Sequence, residues 1–270
     1  MKEGMHGEMS YMEKWHDKRL DPRKLLEGAK SVICLMHNYY TDKEPDSPRK
    51  PLIAKYARGK DYHWVLKDKI TLLVEFIKSQ IGETKAQICV DSTPVLEKAW
   101  AAKAGLGWIG KNSLLLNRES GSFFLLAELI VDLELEYDEP VADQCADCRI
   151  CIDACPTGAI VEPRVVDSRK CLSYLTIECS DELPVNLKKK FGNRIFGCDT
   201  CQDVCPYNRG AKPHGEPLFE AKPEIYTMSR ADWQKMTRGT YMRLFKGTAV
   251  TRRGFKGLKK NVVFVFGNGE

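Results

Sequence analysis

A chain of 270 residues, 43% apolar and 29% charged, can bury a substantial core and has the composition of an ordinary globular protein. No apolar run approaches the roughly eighteen residues of a membrane span, and the start from Met1 to Glu8 has no hydrophobic segment and no twin arginine. These features argue against a membrane or exported protein and for a cytoplasmic one. The net charge of +5 is mild but uneven, since between Arg230 and Lys260 the cations Arg230, Lys235, Arg238, Arg243, Lys246, Arg252, Arg253, Lys256, Lys259 and Lys260 face Asp232 alone. Such a stretch is either a polyanion footprint or a solvated surface.

In chain order, residues 22–26 open a short helix behind Pro22, and 31–37 form a β-rich apolar run. A proline-rich loop passes Pro45, Pro48 and Pro51. Residues 61–81 have helical periodicity, with Trp64, Val65, Ile70, Leu73, Val74 and Ile77 able to share a face. A buried strand over 86–90, a helix over 94–104 and strands over 113–117 and 123–131 follow. This mixture predicts an α/β domain over 1–140, then a cysteine-rich segment over 141–210 and a basic, partly helical region over 211–270. The fold class expected for the whole is α+β or α/β.

Two details of the first region bear on chemistry. Asp91 ends an apolar strand just before Ser92-Thr93-Pro94, which suits either a capping or turn aspartate or a group facing a ligand crevice. Gly105-Leu106-Gly107-Trp108-Ile109-Gly110 matches G-x-G-x-x-G, with Asp132 at the acidic position. It follows a helix and leads into a strand, however, the reverse of a dinucleotide fingerprint. A helix C-cap followed by backbone passing close to something bulky is the better reading.

Eleven cysteines dominate the chemistry, and nine lie between Cys145 and Cys205. Cys34 and Cys89 sit in apolar runs as small hydrophobes. A reducing compartment makes disulfides the weaker explanation and metal ligation the stronger one. Cys145-x2-Cys148-x2-Cys151-x3-Cys155-Pro156 is the bacterial ferredoxin run, whose fourth cysteine serves a different cluster. Cys198-x2-Cys201-x3-Cys205-Pro206 repeats it with Ile195 in the first place, a vacancy Cys171 can fill. The reciprocal assignment gives Cys145, Cys148, Cys151 and Cys205 to one [4Fe–4S] cluster and Cys155, Cys171, Cys198 and Cys201 to another, with Cys179 left over. Four-cysteine zinc is the rival, although zinc ribbons have no use for a third cysteine on one turn or a trailing Cys-Pro. A plain ferredoxin would need no preceding α/β domain, so an electron carrier and an enzyme both remain open.

Taken together, Asp91-Ser92-Thr93-Pro94-Val95-Leu96-Glu97, the run from Ala104 to Asn112, Tyr56-Ala57-Arg58-Gly59-Lys60-Asp61-Tyr62-His63 and the cysteine module with its detached Cys171 resemble the epoxyqueuosine reductases. The likeness runs over nearly the whole chain. It implies a cobalamin-binding α/β domain akin to that of reductive dehalogenases, followed by a two-cluster ferredoxin domain. It also implies reduction of epoxyqueuosine to queuosine at the tRNA wobble position, with electrons from an unidentified donor. By this resemblance Asp91 matches the proton donor and Asp61 and His63 match a motif near the pocket. Tyr56, Gly107, Gly110, Lys111 and Asn112 are candidates for cobalamin contact. A carboxyl must hold a proton to serve as the acid, so Asp91 is expected in an apolar, desolvated pocket. The basic C-terminal stretch then becomes a tRNA contact, and the protein is expected to be monomeric.

Two departures accompany the likeness. The chain starts where family members arrive only after an initial strand and helix, and it stops before the helical repeats of the longer members. Two other readings carry through: a corrinoid iron–sulfur reductase of a non-RNA small molecule, and a non-catalytic iron–sulfur electron-transfer protein.

Overall fold

The computed structural model describes residues 3–267; Met1, Lys2 and residues 268–270 lie outside the described residues. A five-residue helix α1 (His16–Leu20) precedes a 3-10 turn at Pro22–Lys24, which is capped by the Asp21 side chain. The helix read over 22–26 is thus a single tight turn.

The first half is built on three strands in the order β1-β6-β3: β1 (Ser31–Asn38), β3 (Ala86–Cys89) and the central β6 (Phe124–Val131). Both ladders are antiparallel, with Ser31 opposite Val131 and Cys89 opposite Glu128. β6 reads as an almost unbroken apolar run because both its faces are covered. Ala127, Leu129 and Val131 pack with Leu66 and Ile70 of helix α2 (Tyr62–Ile81), while Ile130 packs with Cys89, Val95 and Trp100 on the other face. The two sets alternate along the strand, as a period of two requires.

Helix α2 begins where the sequence says, because the Asp61 carboxylate caps it by accepting from His63 N. Its buried residues are Val65, Leu66 and Ile70, whereas Trp64 is 60% exposed, contrary to the face read from periodicity. Leu66 takes the core position, and the Trp64 ring lies on the outer surface beneath Lys67. Helix α3 (Glu97–Lys103) also starts later than residue 94. Short turn bonds from Ser92 N to Val90 O and from Val95 N to Thr93 O occupy the backbone that would otherwise form its first turn.

After α3 the chain makes a small hairpin of β4 (Trp108–Ile109) and β5 (Leu115–Leu116), the paired core of the longer strand read over 113–117. The cysteine segment then places two short helices in matching positions. α4 (Ile150–Asp153) carries Cys151 and precedes Cys155-Pro156; α7 (Thr200–Asp203) carries Cys201 and precedes Cys205-Pro206. Between them lie the hairpin β7 (Ile160–Glu162) and β8 (Val165–Val166), helices α5 (Leu172–Ile177) and α6 (Lys188–Phe191), and β9 (Arg194–Phe196).

β9 pairs in parallel with β2 (Leu52–Ile53), which joins the cysteine segment to the first half. The C-terminal helices α8 (Glu224–Thr227), α9 (Arg230–Gln234), α10 (Arg238–Phe245) and α11 (Gly254–Phe266) close over the same junction. Ile53, Ile195, Phe196, Trp233, Leu244, Phe245 and Val262 form one core, so its walls come from all three segments.

Candidate active site and cluster-binding cysteines

The ferredoxin-type spacing folds Cys145, Cys148 and Cys151 into one turn, in which Cys148 N donates to Cys145 O at 2.9 Å. Cys205 arrives from the second motif, and these four sulfur-bearing side chains line one cleft with Lys111, Asn112, Leu116, Pro206 and Tyr207. The thiols stand around a shared cleft rather than closing on a single point.

Cys155 points elsewhere: its sulfur accepts from Ala159 N at 3.2 Å, and Thr200 Oγ1 lies 3.3 Å from Cys198 Sγ. Burial raises the Cys201 thiol far above its ordinary value, and the sulfurs of Cys198 and Cys171 add to this; burial also raises Cys171, with contributions from Cys198 and Cys155. Cys171 thus lies within electrostatic reach of Cys155, Cys198 and Cys201, and Cys201 is also within reach of Cys151 on the other turn. Burial would raise Cys155 too, but backbone N–H groups of Ile160, Thr157 and Ala159 outweigh it and favour the thiolate. Cys179 is buried with Leu172, Leu175 and Leu183, in an apolar cluster against which Cys171 and Cys198 also pack.

The glycine-rich hairpin lies against this module. Trp108 is only 3% exposed and its indole N–H donates to Cys145 Sγ at 3.4 Å. Lys111 Nζ donates to Ala146 O at 2.5 Å, and Asn112 Nδ2 donates to Cys201 O at 3.4 Å. A Cβ on Gly107 would fall 2.0 Å from Leu116 O, and one on Gly110 would fall 2.5 Å from the Leu116 side chain. The close approach inferred from the glycines is thus met within the hairpin itself. Ser113 Oγ is buried without a hydrogen-bond partner, while Ser113 O accepts from Lys98 Nζ.

At the other end of α3 the residues singled out for acid chemistry meet. Asp91, two positions beyond β3, has φ +52°, a left-handed conformation that aspartate tolerates better than most residues. Its N–H donates to Glu97 Oε1 at 2.6 Å, and its Oδ2 lies 3.0 Å from His63 Nε2. His63 Nδ1 lies 2.7 Å from Asp61 Oδ1, so the imidazole bridges two carboxylates. The Tyr62 ring stacks on His63 at 4.2 Å, and Tyr56 meets Tyr62 edge-on at 6.0 Å.

The charge state differs from the expected neutral Asp91. Hydrogen bonding to His63 lowers the Asp91 carboxyl, outweighing desolvation, and the side chain is 56% exposed. The hydrogen bonds to Asp61 and then Asp91 raise His63 to about 9, so the proton resides on the imidazole at neutral pH. Desolvation alone would raise Asp61, but His63 outweighs it and keeps that carboxyl low. Around Asp91 the fold places the His63 imidazole and the Tyr62 side chain rather than a wholly apolar lining.

Sequence reading missed three participants. Glu97 anchors the Asp91 backbone and is raised to about 7 by burial. Glu128 is fully buried with neither oxygen partnered, raised to about 9 by desolvation; a lone carboxylate inside Phe124–Val131 was the available signal. Trp108 carried no signal beyond its place between glycines. A cavity of about 700 Å³, lined by Val32, Cys34, Trp100 and Leu106 among others, lies toward the start of β1, the end of the sheet away from Asp91.

The basic C-terminal groups are largely engaged. Arg243 pairs with Glu224 and Arg252 with Glu178, while Arg230, Arg253, Lys259 and Lys260 donate to backbone carbonyls. Lys235, Arg238, Lys246 and Lys256 are exposed. Lys246 immediately precedes Gly247, whose carbonyl accepts from Asp61 N at 2.8 Å, so it borders the acid site. No helix among the described residues is long and apolar enough to cross a membrane.

Known proteins place this geometry in a family. A family model described as a 4Fe–4S double cluster binding domain matches residues 144–208, and one described as epoxyqueuosine reductase QueG, DUF1730, matches residues 19–92. The chain is 53% identical over 266 residues to epoxyqueuosine reductase of Cellulophaga algicola, covering 98% of this chain and 86% of that protein. It is 39% identical over 268 residues to the Escherichia coli enzyme, covering 97% and 71%. Among solved structures, epoxyqueuosine reductase with an epoxyqueuosine-modified tRNA-Tyr stem loop superposes with a TM-score of 0.85 at 35% identity, over 92% of this chain and 67% of that one. The Bacillus subtilis enzyme superposes with a TM-score of 0.84 at 34% identity, over 92% and 67%. Both halves of the arrangement, the interleaved cysteines and the acid chain, thus fall within long stretches shared with these enzymes: the chain belongs to the epoxyqueuosine reductase family.

Proposed function

We propose that this enzyme reduces the epoxide of epoxyqueuosine in tRNA to the alkene of queuosine, using cobalamin and electrons passed one at a time through two [4Fe–4S] clusters. The conversion consumes two electrons and two protons, and the oxygen leaves as water. Cys145, Cys148, Cys151 and Cys205 would hold one cluster and Cys155, Cys171, Cys198 and Cys201 the other. Cobalamin, when bound, would supply a low-valent cobalt able to reduce the strained ring. The unpartnered Ser113 hydroxyl, between Lys98 and Asn112, suits the amide rim of a corrinoid. Lys111 and Asn112 would border the same side, whereas Tyr56 sits with Tyr62 at the acid end and Gly107 and Gly110 are filled by Leu116.

The observation that carries this reading is the convergence of Cys205 with the Cys145–Cys151 turn, which interleaves the two motifs. Asp91 would deliver the proton to the departing oxygen, with His63 as the store behind it and Asp61 orienting the ring. An acid at that point avoids expulsion of a free alkoxide. In Bacillus subtilis epoxyqueuosine reductase an aspartate-bearing catalytic loop has been seen swung out of the active site, which agrees with an acid on an exposed loop such as this one. On this reading residues 1–140 supply the acid and the corrinoid side, 141–210 the electrons, and 211–270 contacts to the tRNA.

The test is anaerobic incubation with cobalamin, a strong reductant and epoxyqueuosine-containing tRNA, followed by mass analysis of the nucleosides. Queuosine should form with the unaltered protein and not with Asp91→Asn, while roughly eight irons per chain and the cobalamin spectrum persist in both. Full turnover by the variant would remove Asp91 from the reaction.

A further inference from the structure

We propose that Trp108 tunes the reduction potential of the cluster held by Cys145, Cys148, Cys151 and Cys205, by donating its indole N–H to the Cys145 sulfur. This rests on the cysteine assignment just given. An indole nitrogen can only donate, and at 3% exposure no bulk water competes for it. The sulfur lies 3.4 Å away. Trp233 shows that such a partner is not automatic, because its own indole nitrogen is buried with none.

The surroundings hold the Trp108 ring in place. Tyr207, two residues beyond Cys205, meets it edge-on at 4.9 Å, and the Tyr207 hydroxyl donates to Gln144 O at 2.9 Å, beside Cys145. Gly107 lets the β4 backbone press against Leu116 O, and Lys111 ties the same hairpin to Ala146 O. The ring is thereby clamped between the two chain segments that bring the four sulfurs together.

The chemistry fixes the sign. Reduction places one electron on the cluster and makes its thiolate sulfurs more negative. A hydrogen-bond donor to one of them stabilises the reduced form more than the oxidised form and raises the potential. Losing the donor should therefore make reduction harder. The expected size is about tenfold in the reduced-to-oxidised ratio at a fixed potential, ~59 mV for a one-electron couple.

The experiment is an anaerobic dithionite titration of the reconstituted protein, read by electron paramagnetic resonance, for the unaltered chain and Trp108→Phe. Phenylalanine keeps a ring against Tyr207 and removes only the donor. Cys148→Ser identifies which signal belongs to this cluster. That signal should titrate at lower potential in Trp108→Phe, while the other cluster stays in place. An unchanged potential, or an equal shift of both clusters, overturns the proposal. Should the variant fail to assemble the cluster, the unaltered protein grown with ¹⁵N-indole tryptophan decides: nitrogen hyperfine coupling in the reduced cluster supports the contact, and its absence overturns it. Failure of the cysteine reading would be separate, since Cys148→Ser would then leave both cluster signals of the unaltered protein unchanged.

Discussion

His63 holds a proton between two carboxylates 2.7 and 3.0 Å from its ring nitrogens, and that sets a pH dependence. With its value raised to about 9, the imidazolium persists through neutrality, and turnover should fall as pH rises through about 9. The same shift adds stability that is complete below the unfolded value of about 6.5 and is lost as pH passes the folded value. In His63→Gln, Asp91 would titrate alone in the carboxylate range. Turnover at pH 7 is then expected to drop by about 10²–10⁴-fold, with the alkaline limb moved below about pH 5. A pH profile of single-turnover rates checks this, and an unmoved limb would clear His63 of the role. The positions of Asp61, His63 and Asp91 were legible from a family pattern. Their charge state was not, because it depends on side chains 28 residues apart meeting across a turn. Glu128 was legible in principle, since a carboxylate amid Leu125, Leu126, Ala127 and Leu129 must be buried wherever that strand is central.

At the scale of elements, the sequence marked α2 well because its cap, Asp61, is local. It marked the buried face less well, since which turn of the helix meets β6 is decided by the sheet. Trp64 was given to the core and Leu66 passed over for that reason. The hairpin of β4 and β5 was half legible: the glycines announced a close approach, but nothing local named Leu116 as the neighbour. Gly107→Ala should therefore act through this hairpin. Its methyl would collide with the Leu116 carbonyl, and backbone rather than a mobile side-chain tip must move, which costs on the order of 1–3 kcal/mol. A lower Tm, together with reduced iron retention on buffer exchange, is expected; a variant as stable and iron-rich as the parent would refute it.

Over the whole molecule, charge and core tell different stories about the C-terminal region. Its helices complete a core with Ile53, Ile195 and Phe196, and this was invisible in the sequence because the partners lie far away in the chain. The ten cations between Arg230 and Lys260 were visible, yet six are engaged in ion pairs or hydrogen bonds to backbone carbonyls, which leaves Lys235, Arg238, Lys246 and Lys256 as the exposed ones without such a partner. On the tRNA reading, affinity should fall steeply with salt. Lys246→Ala should lower the logarithmic salt slope by about 0.7 for one lost phosphate contact to single-stranded RNA. Filter binding of an anticodon stem loop across a salt series measures the slope, and an identical slope would place Lys246 outside the contact.

The parallel pairing of β2 with β9 has a mechanical side. β9 leads into Cys198, β2 leads into the segment ending at Asp61, and Lys55 fastens the two by donating its N–H to Asp199 Oδ2 at 2.8 Å. Iron stripped from the cysteines by oxygen would slacken one end of that strap and so loosen the imidazole at the other.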